Sequence, residues 1–187
     1  MSIKTISISG THCTGKTTLI EQMKLDSVFK DYIFFNSPTR DAKKSGLQIN
    51  NQSENYDETQ KFCLSYDIKK IISTSIHNQY IFDRSILDTY IYTKYLFDRN
   101  KVSERVMKEV ETNWLALKGH YDLFVIPSKD DCSFEKDGVR VLDDDFRDGV
   151  HQVLLDLVES DEGMPILFIN GSTENRIQMI KQYIKTT

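Results

Sequence analysis

Residues Gly10 to Thr17, Gly-Thr-His-Cys-Thr-Gly-Lys-Thr, match the spacing Gly-x-x-x-x-Gly-Lys-Ser/Thr at every fixed position. The flanks strengthen the match. Upstream, Ile3-Lys4-Thr5-Ile6-Ser7-Ile8-Ser9 alternates apolar and polar residues, a strand signal. Downstream, Thr18 to Lys24 reads as a helix. A glycine loop between strand and helix curves its backbone N–H groups around a polyphosphate, and the helix N-terminus adds positive potential there. Gly10 and Gly15 permit backbone angles and close approach that a Cβ would block. Lys16 is placed to reach the β- and γ-phosphates, and the Thr17 hydroxyl to ligate Mg²⁺. Thr11, His12, Cys13, Thr14 and Thr18 complete the nucleotide-binding set, His12 and Cys13 mainly through their backbone.

The rest of the chain repeats short apolar strands between helices. Tyr32–Phe35, Gln79–Arg84, Tyr121–Ile126 and Pro165–Ile169 read as strands, the first stopped at Pro38, the second ending in the charged Asp83-Arg84, the third stopped at Pro127 and the last turning at Asn170-Gly171. Helices are expected from Asp57 to about Asn78, with Ile68, Ile72 and Ile76 as a core stripe, and after Ser85, with Leu87, Ile91 and Tyr95 on one face. Others are expected over Ser103–Lys118, over Asp143–Glu159, and through Ile177, Ile180 and Ile184. Residues 42–55 read as a long polar surface connection. Continuous apolar strands are covered on both faces. The predicted fold is therefore α/β, a three-layer α/β/α sandwich around a five-stranded parallel sheet, in one domain spanning residues 1–187. Such sheets bind ligands beyond the carboxyl ends of their strands. The phosphate loop, Ser37–Lys44, Asp83-Arg84 and the stretch after Ile126 converge there.

Composition narrows the partners. A net charge of −4 gives no global basic field, so nucleic acid is not favoured as a ligand, although a local basic groove stays open. No run is long and apolar enough to cross a membrane, and the N-terminus enters a strand without signal-peptide architecture. Cys13, Cys63 and Cys132 lack metal-ligand spacing and read as reduced thiols in a cytoplasmic protein. The sequence leaves monomer or homodimer open.

Asp83-Arg84 is the second chemical signal. A carboxylate at the end of a strand near the phosphate loop suits a Mg²⁺ partner or a base that orients an attacking hydroxyl. Motors of the AAA type carry Asp-Glu here, the Glu activating water. Arginine stays protonated and cannot do so, but it can bind an anionic substrate or stabilise a transferring phosphoryl group. A plain helix cap with a surface ion pair is the competing explanation.

With the loop, Phe82-Asp83-Arg84-Ser85 resembles the P-loop nucleoside and nucleotide kinase superfamily. Pro38-Thr39-Arg40, Asp137-Gly138-Val139-Arg140, Asp143–Arg147 and Asn170-Gly171-Ser172 extend the resemblance to a predicted ATPase/kinase family related to the ribosylnicotinamide kinase domain, common in bacteria and their phages. The resemblance implies ATP and Mg²⁺ as cofactors and a small-molecule nucleoside or nucleotide as phosphoryl acceptor. It implies a lid over about residues 128–147 that delivers Arg140, and next Arg147, to the phosphates. It also implies that the loop at Gly171 brackets adenine. Arg40, after a strand end and a Pro on the same rim, reads with Arg84 as an acceptor-side contact, a solvated loop arginine being the competing explanation for Arg40. The family often has a Glu ahead of the position of Thr39; here the stretch is Asn36-Ser37-Pro38, which leaves Asp83 as the main carboxylate, with Asp41 second. The expected catalytic set is Lys16, Asp83, Arg84 and Arg140, with Thr17 and Asp83 on the metal. Two rivals remain: a kinase acting on a hydroxyl of modified nucleic acid, and an AAA-like ATPase or nucleotide-binding module with no acceptor.

Overall fold

Five short strands, all parallel and in the order β2-β3-β1-β4-β5, form the centre of the molecule: β1 Thr5–Ile8, β2 Tyr32–Phe35, β3 Gln79–Asp83, β4 Leu123–Pro127 and β5 Ile166–Ile169. The structure, a computed structural model, describes residues 3–47, 55–129, 131 and 144–186, without the side chains at 40, 41 and 43. The helices are α1 Lys16–Leu25, α2 Pro38–Lys44, α3 Asp57–Ile72, α4 Ile86–Phe97, α5 Glu104–Leu117, α6 Asp144–Ser160 and α7 Thr173–Thr186.

Alternate strand residues point to opposite faces, and each face has its own core. Tyr80, Phe82, Phe124 and Ile126 pack with α3 to α6, including Leu87, Ile91, Val106, Val110, Trp114, Val150 and Leu154. Ile6, Ile8, Ile81, Leu123 and Val125 pack with α1 and α7 through Leu19, Met23, Ile177 and Ile180. These are the expected three layers. The polar residues in and just after β1 do not face water: Ser7 and Ser9 are buried, their hydroxyls 2.6 Å apart, and Ser9 continues to the Ser85 hydroxyl at 2.9 Å. α6 lies so close to α4 that a Cβ on Gly149 would sit 2.1 Å from the Tyr95 ring, so only glycine fits that crossing.

Two expectations fail in their details. Helix α3 ends at Ile72, and Ile72 and Ile76 are 76% and 80% exposed, with only Ile68 packed against the core. The buried face of α3 is instead Gln60, Leu64, Asp67, Lys70 and Ile71. Polar side chains occupy the inward stripe, so apolar identity pointed to the wrong face. β2 stops at Phe35, ahead of Pro38 as expected, but Pro38 then opens α2, where its missing N–H costs nothing, and the Ser37 hydroxyl accepts the Thr39 N–H at 3.3 Å. Part of the stretch expected as a surface connection is therefore helical; residues 48–54 lie outside the described residues.

Candidate functional site

Register brings the site together. Ile8 pairs with Asp83 and with Val125, so the carboxyl ends of β1, β3 and β4 open at one level. From β1 the chain turns through Gly10 (φ 110°), Cys13 (φ 55°) and Gly15 (φ 77°) into α1. The left-handed angle at Cys13, which has a Cβ, stores strain that the surroundings must hold. Thr17 and Thr18 begin α1 exposed to solvent, whereas Lys16 is buried. The Lys16 ammonium donates to the Thr11 carbonyl and, at 2.9 Å, to the Thr14 hydroxyl. It is folded onto its own loop, and a phosphate entering the loop offers it a stronger acceptor.

Arg84 leaves β3 with φ 64°, and its guanidinium turns toward the phosphate loop. It donates to the Gly10 carbonyl at 3.3 Å and to Asp88 at 2.9 Å, and lies 5.3 Å from the centre of the Tyr92 ring. Burial works to strip Arg84 of its proton, but the Tyr92 hydroxyl, Asp88 and Asp83 outweigh it and raise its pKa further. Burial also pushes the Tyr92 phenol up, with the Arg84 charge opposing. Asp88 does two jobs. It completes a capping box with Ser85 at the start of α4, accepting the Ser85 N–H at 3.0 Å, and it accepts the Gly10 N–H at 3.1 Å. The peptides on either side of Gly10 are therefore held by Asp88 and Arg84, which also bind each other. Behind them, Lys70 of α3 donates to the Arg84 carbonyl at 2.9 Å and pairs with buried Asp67 at 2.8 Å, which also accepts the Thr89 hydroxyl at 2.7 Å. Burial raises the Asp67 pKa, with Lys70 pulling it the other way.

The other predicted residues divide. Gly171 (φ 81°) stands at the end of β5, where its N–H donates to Asp131 at 2.6 Å. Arg147 closes the first turn of α6, with guanidinium contacts of 3.3 Å to Asp144 and 3.5 Å to Asp148 of its own helix. Its neighbour Phe146 reaches the loop, 5.7 Å from the His12 ring and 5.8 Å from Tyr92. The last four residues of the expected lid, 144–147, are thus the first turn of α6. Arg140, Cys132 and residues 132–143 lie outside the described residues, as does the Arg40 side chain, although its backbone belongs to α2. Gln60 is buried and its side-chain carbonyl accepts from Thr93 at 2.9 Å.

Sequence reasoning passed over Arg176. It is 3% exposed on α7 and donates to the Thr14 carbonyl of the phosphate loop at 2.7 Å. A signal was available: an arginine four residues before Ile180, on the stripe that buries α7.

A strand–glycine loop–helix at the centre of a parallel sheet, with an acidic strand end beside it, defines a P-loop nucleotide-binding domain. Residues 5–176 match the family described as AAA domain, and the chain belongs to that family. No match in sequence exists among curated proteins. In fold it is similar to deoxyadenosine kinase from M. mycoides with the products dCMP and a flexible dCDP bound (TM-score 0.73, 14% identity, 97% of this chain and 99% of that one). The same enzyme with dCTP bound gives TM-score 0.62 at 17% identity, over 97% of this chain and 99% of that one. The NadR protein in complex with NR gives TM-score 0.71 at 15% identity over 99% of this chain, which spans 52% of the NadR chain. The fold is that of P-loop nucleoside kinases.

Proposed function

We propose that the chain is an ATP- and Mg²⁺-dependent phosphotransferase that moves the γ-phosphoryl group to a nucleoside or nucleotide. The observation that carries this reading is the 3.3 Å contact between the Arg84 guanidinium and the Gly10 carbonyl, which makes Asp83-Arg84 and the phosphate loop one rim. The loop amides and Lys16 hold the donor's phosphates. Thr17 and Asp83 supply the oxygen donors that suit Mg²⁺, which binds through few protein ligands and keeps several waters. The metal, when bound, supplies charge neutralisation at the phosphates. Asp83 orients the acceptor hydroxyl or the metal's water shell, and Arg84, charged across the working pH range, fixes the acceptor's position or the moving charge. Arg147, Arg140 and Arg40 are the further cations of this reading, and Gly171 its adenine contact. Kinase folds with bound nucleotides at TM-scores up to 0.73 support it.

The family name AAA domain favours a second reading, an ATPase without acceptor. Against it stands Arg84 where a water-activating glutamate would be needed. One assay separates the two. Labelled ATP is supplied with nucleosides, nucleotides and oligonucleotides in turn. The kinase reading expects slow phosphate release that gives way to labelled acceptor with one class of compound. Phosphate release at a rate no acceptor changes overturns it in favour of the ATPase; label on oligonucleotides alone moves the acceptor class to nucleic acid.

A further inference from the structure

We propose that Arg176 is a positioning residue of the phosphate loop, fixing from α7 the peptide plane that presents the Gly15 N–H to the donor. The inference rests on the reading of the loop as a polyphosphate site and deepens it. A peptide is planar and trans, so its N–H points opposite to its C=O. Arg176 Nη1 binds the Thr14 carbonyl at 2.7 Å, and that carbonyl shares its plane with the Gly15 N–H. Holding the oxygen toward α7 turns the amide the other way, away from α7. The loop needs such a hold, because Cys13 and Gly15 on either side of Thr14 both have positive φ.

The same guanidinium reaches further. Its Nη2 contacts the Ser128 carbonyl at 3.4 Å and Asp131 at 3.3 Å, and the Asp131 carboxylate accepts the Gly171 N–H at 2.6 Å. One side chain thus ties together the loops after β1, β4 and β5. A planar fork serves two carbonyls and a carboxylate in fixed directions, whereas lysine offers a compact charge on a flexible stem. The position is also mirrored. Arg84 binds the Gly10 carbonyl and so orients the Thr11 N–H from the opposite layer of the sandwich. An arginine on a helix stripe that otherwise carries Ile177 and Ile180 is costly to bury, and its bonds to the phosphate loop give the reason for its presence.

The test measures affinity for inorganic tripolyphosphate, which has no base or sugar, by displacement of a fluorescent ATP analogue from the full chain. Arg176→Met is expected to weaken tripolyphosphate about tenfold or more. It should also shift the Gly15 cross-peak in spectra of ¹⁵N-glycine-labelled protein. Ile180→Val, which loosens the same helix without touching the loop, is expected to lower the melting temperature and leave both readouts unchanged. If Arg176→Met does not fold, Arg176→Lys keeps the charge and loses the fork; it is expected to show a smaller loss of affinity with a shifted Gly15 cross-peak. A folded Arg176 variant whose affinity and Gly15 cross-peak both match the wild type overturns the inference alone. A wild-type chain that binds no tripolyphosphate overturns the phosphate-site reading and this inference with it.

Discussion

Lys16 sits in a buried place with its ammonium turned onto the Thr11 carbonyl and the Thr14 hydroxyl, and in the proposed function phosphates take the place of those acceptors. Lys16→Ala is expected to weaken ATP about tenfold or more and to cut transfer at least a hundredfold, read by titration and by single-turnover kinetics. Normal transfer by that variant would remove the loop from the chemistry. Arg84→Ala is a different case, because the guanidinium also anchors Gly10. Loss in both ATP affinity and acceptor use is expected there, whereas acceptor use falling alone would confine Arg84 to the acceptor side. At this scale the sequence was readable where chemistry is local. The phosphate loop is one continuous stretch, and Asp83-Arg84 sits where a strand must end. Asp88 was readable as a cap of α4 but not as the acceptor of the Gly10 N–H, a bond across 78 positions. Arg176 binds Thr14 across 162 positions, a pairing that no spacing rule reaches.

Helix α3 shows how an element can be read correctly in kind and wrongly in orientation. Its start at Asp57 is legible from the acidic first turn, but its inward face holds Asp67 and Lys70 rather than an isoleucine stripe. The reason is the corner it supports. Arg84 adopts φ 64°, which costs about 1–3 kcal/mol for a residue with a side chain, and Lys70 holds the Arg84 carbonyl in that turn. The side chains of Lys70 and Asp67 are 4% and 1% exposed, so neither charge has water to fall back on. Lys70→Met is expected to destabilise the fold by about 3–5 kcal/mol, because it leaves Asp67 buried without its counter-charge. Adding Asp67→Leu should recover much of that stability, measured by urea unfolding. Transfer should stay impaired in the double variant, since the Arg84 carbonyl at the strained corner has then lost its Lys70 donor. A double variant that regains full activity along with its stability would reduce the pair to a packing device.

The three layers follow from the strand pattern and were legible, but the way they meet at the site was not. The phosphate loop is gripped from one layer by Arg84 and Asp88, at the β3–α4 corner, and from the other by Arg176 on α7. His12 touches Phe146 of α6, which packs edge-on against Tyr95 of α4 at 5.0 Å. A ligand in the loop therefore bears on both helical layers, and its binding free energy should appear in the unfolding of the whole domain rather than in one loop. At a free nucleotide concentration of about 100 times Kd the gain is about 2.7 kcal/mol. For a chain of 187 residues, each kcal/mol raises the melting temperature by about 2–4 °C, so Mg²⁺ with ATP should shift it by roughly 5–11 °C. Differential scanning calorimetry would read this as one transition moving intact. The Arg176 and Lys16 variants should show smaller shifts at the same concentration, about half as large for a tenfold weaker Kd, because the gain is logarithmic in affinity. If ATP instead left the main transition in place and ordered only a minor early one, the loop would be thermally independent of the two layers, and the coupling drawn from these contacts would fail.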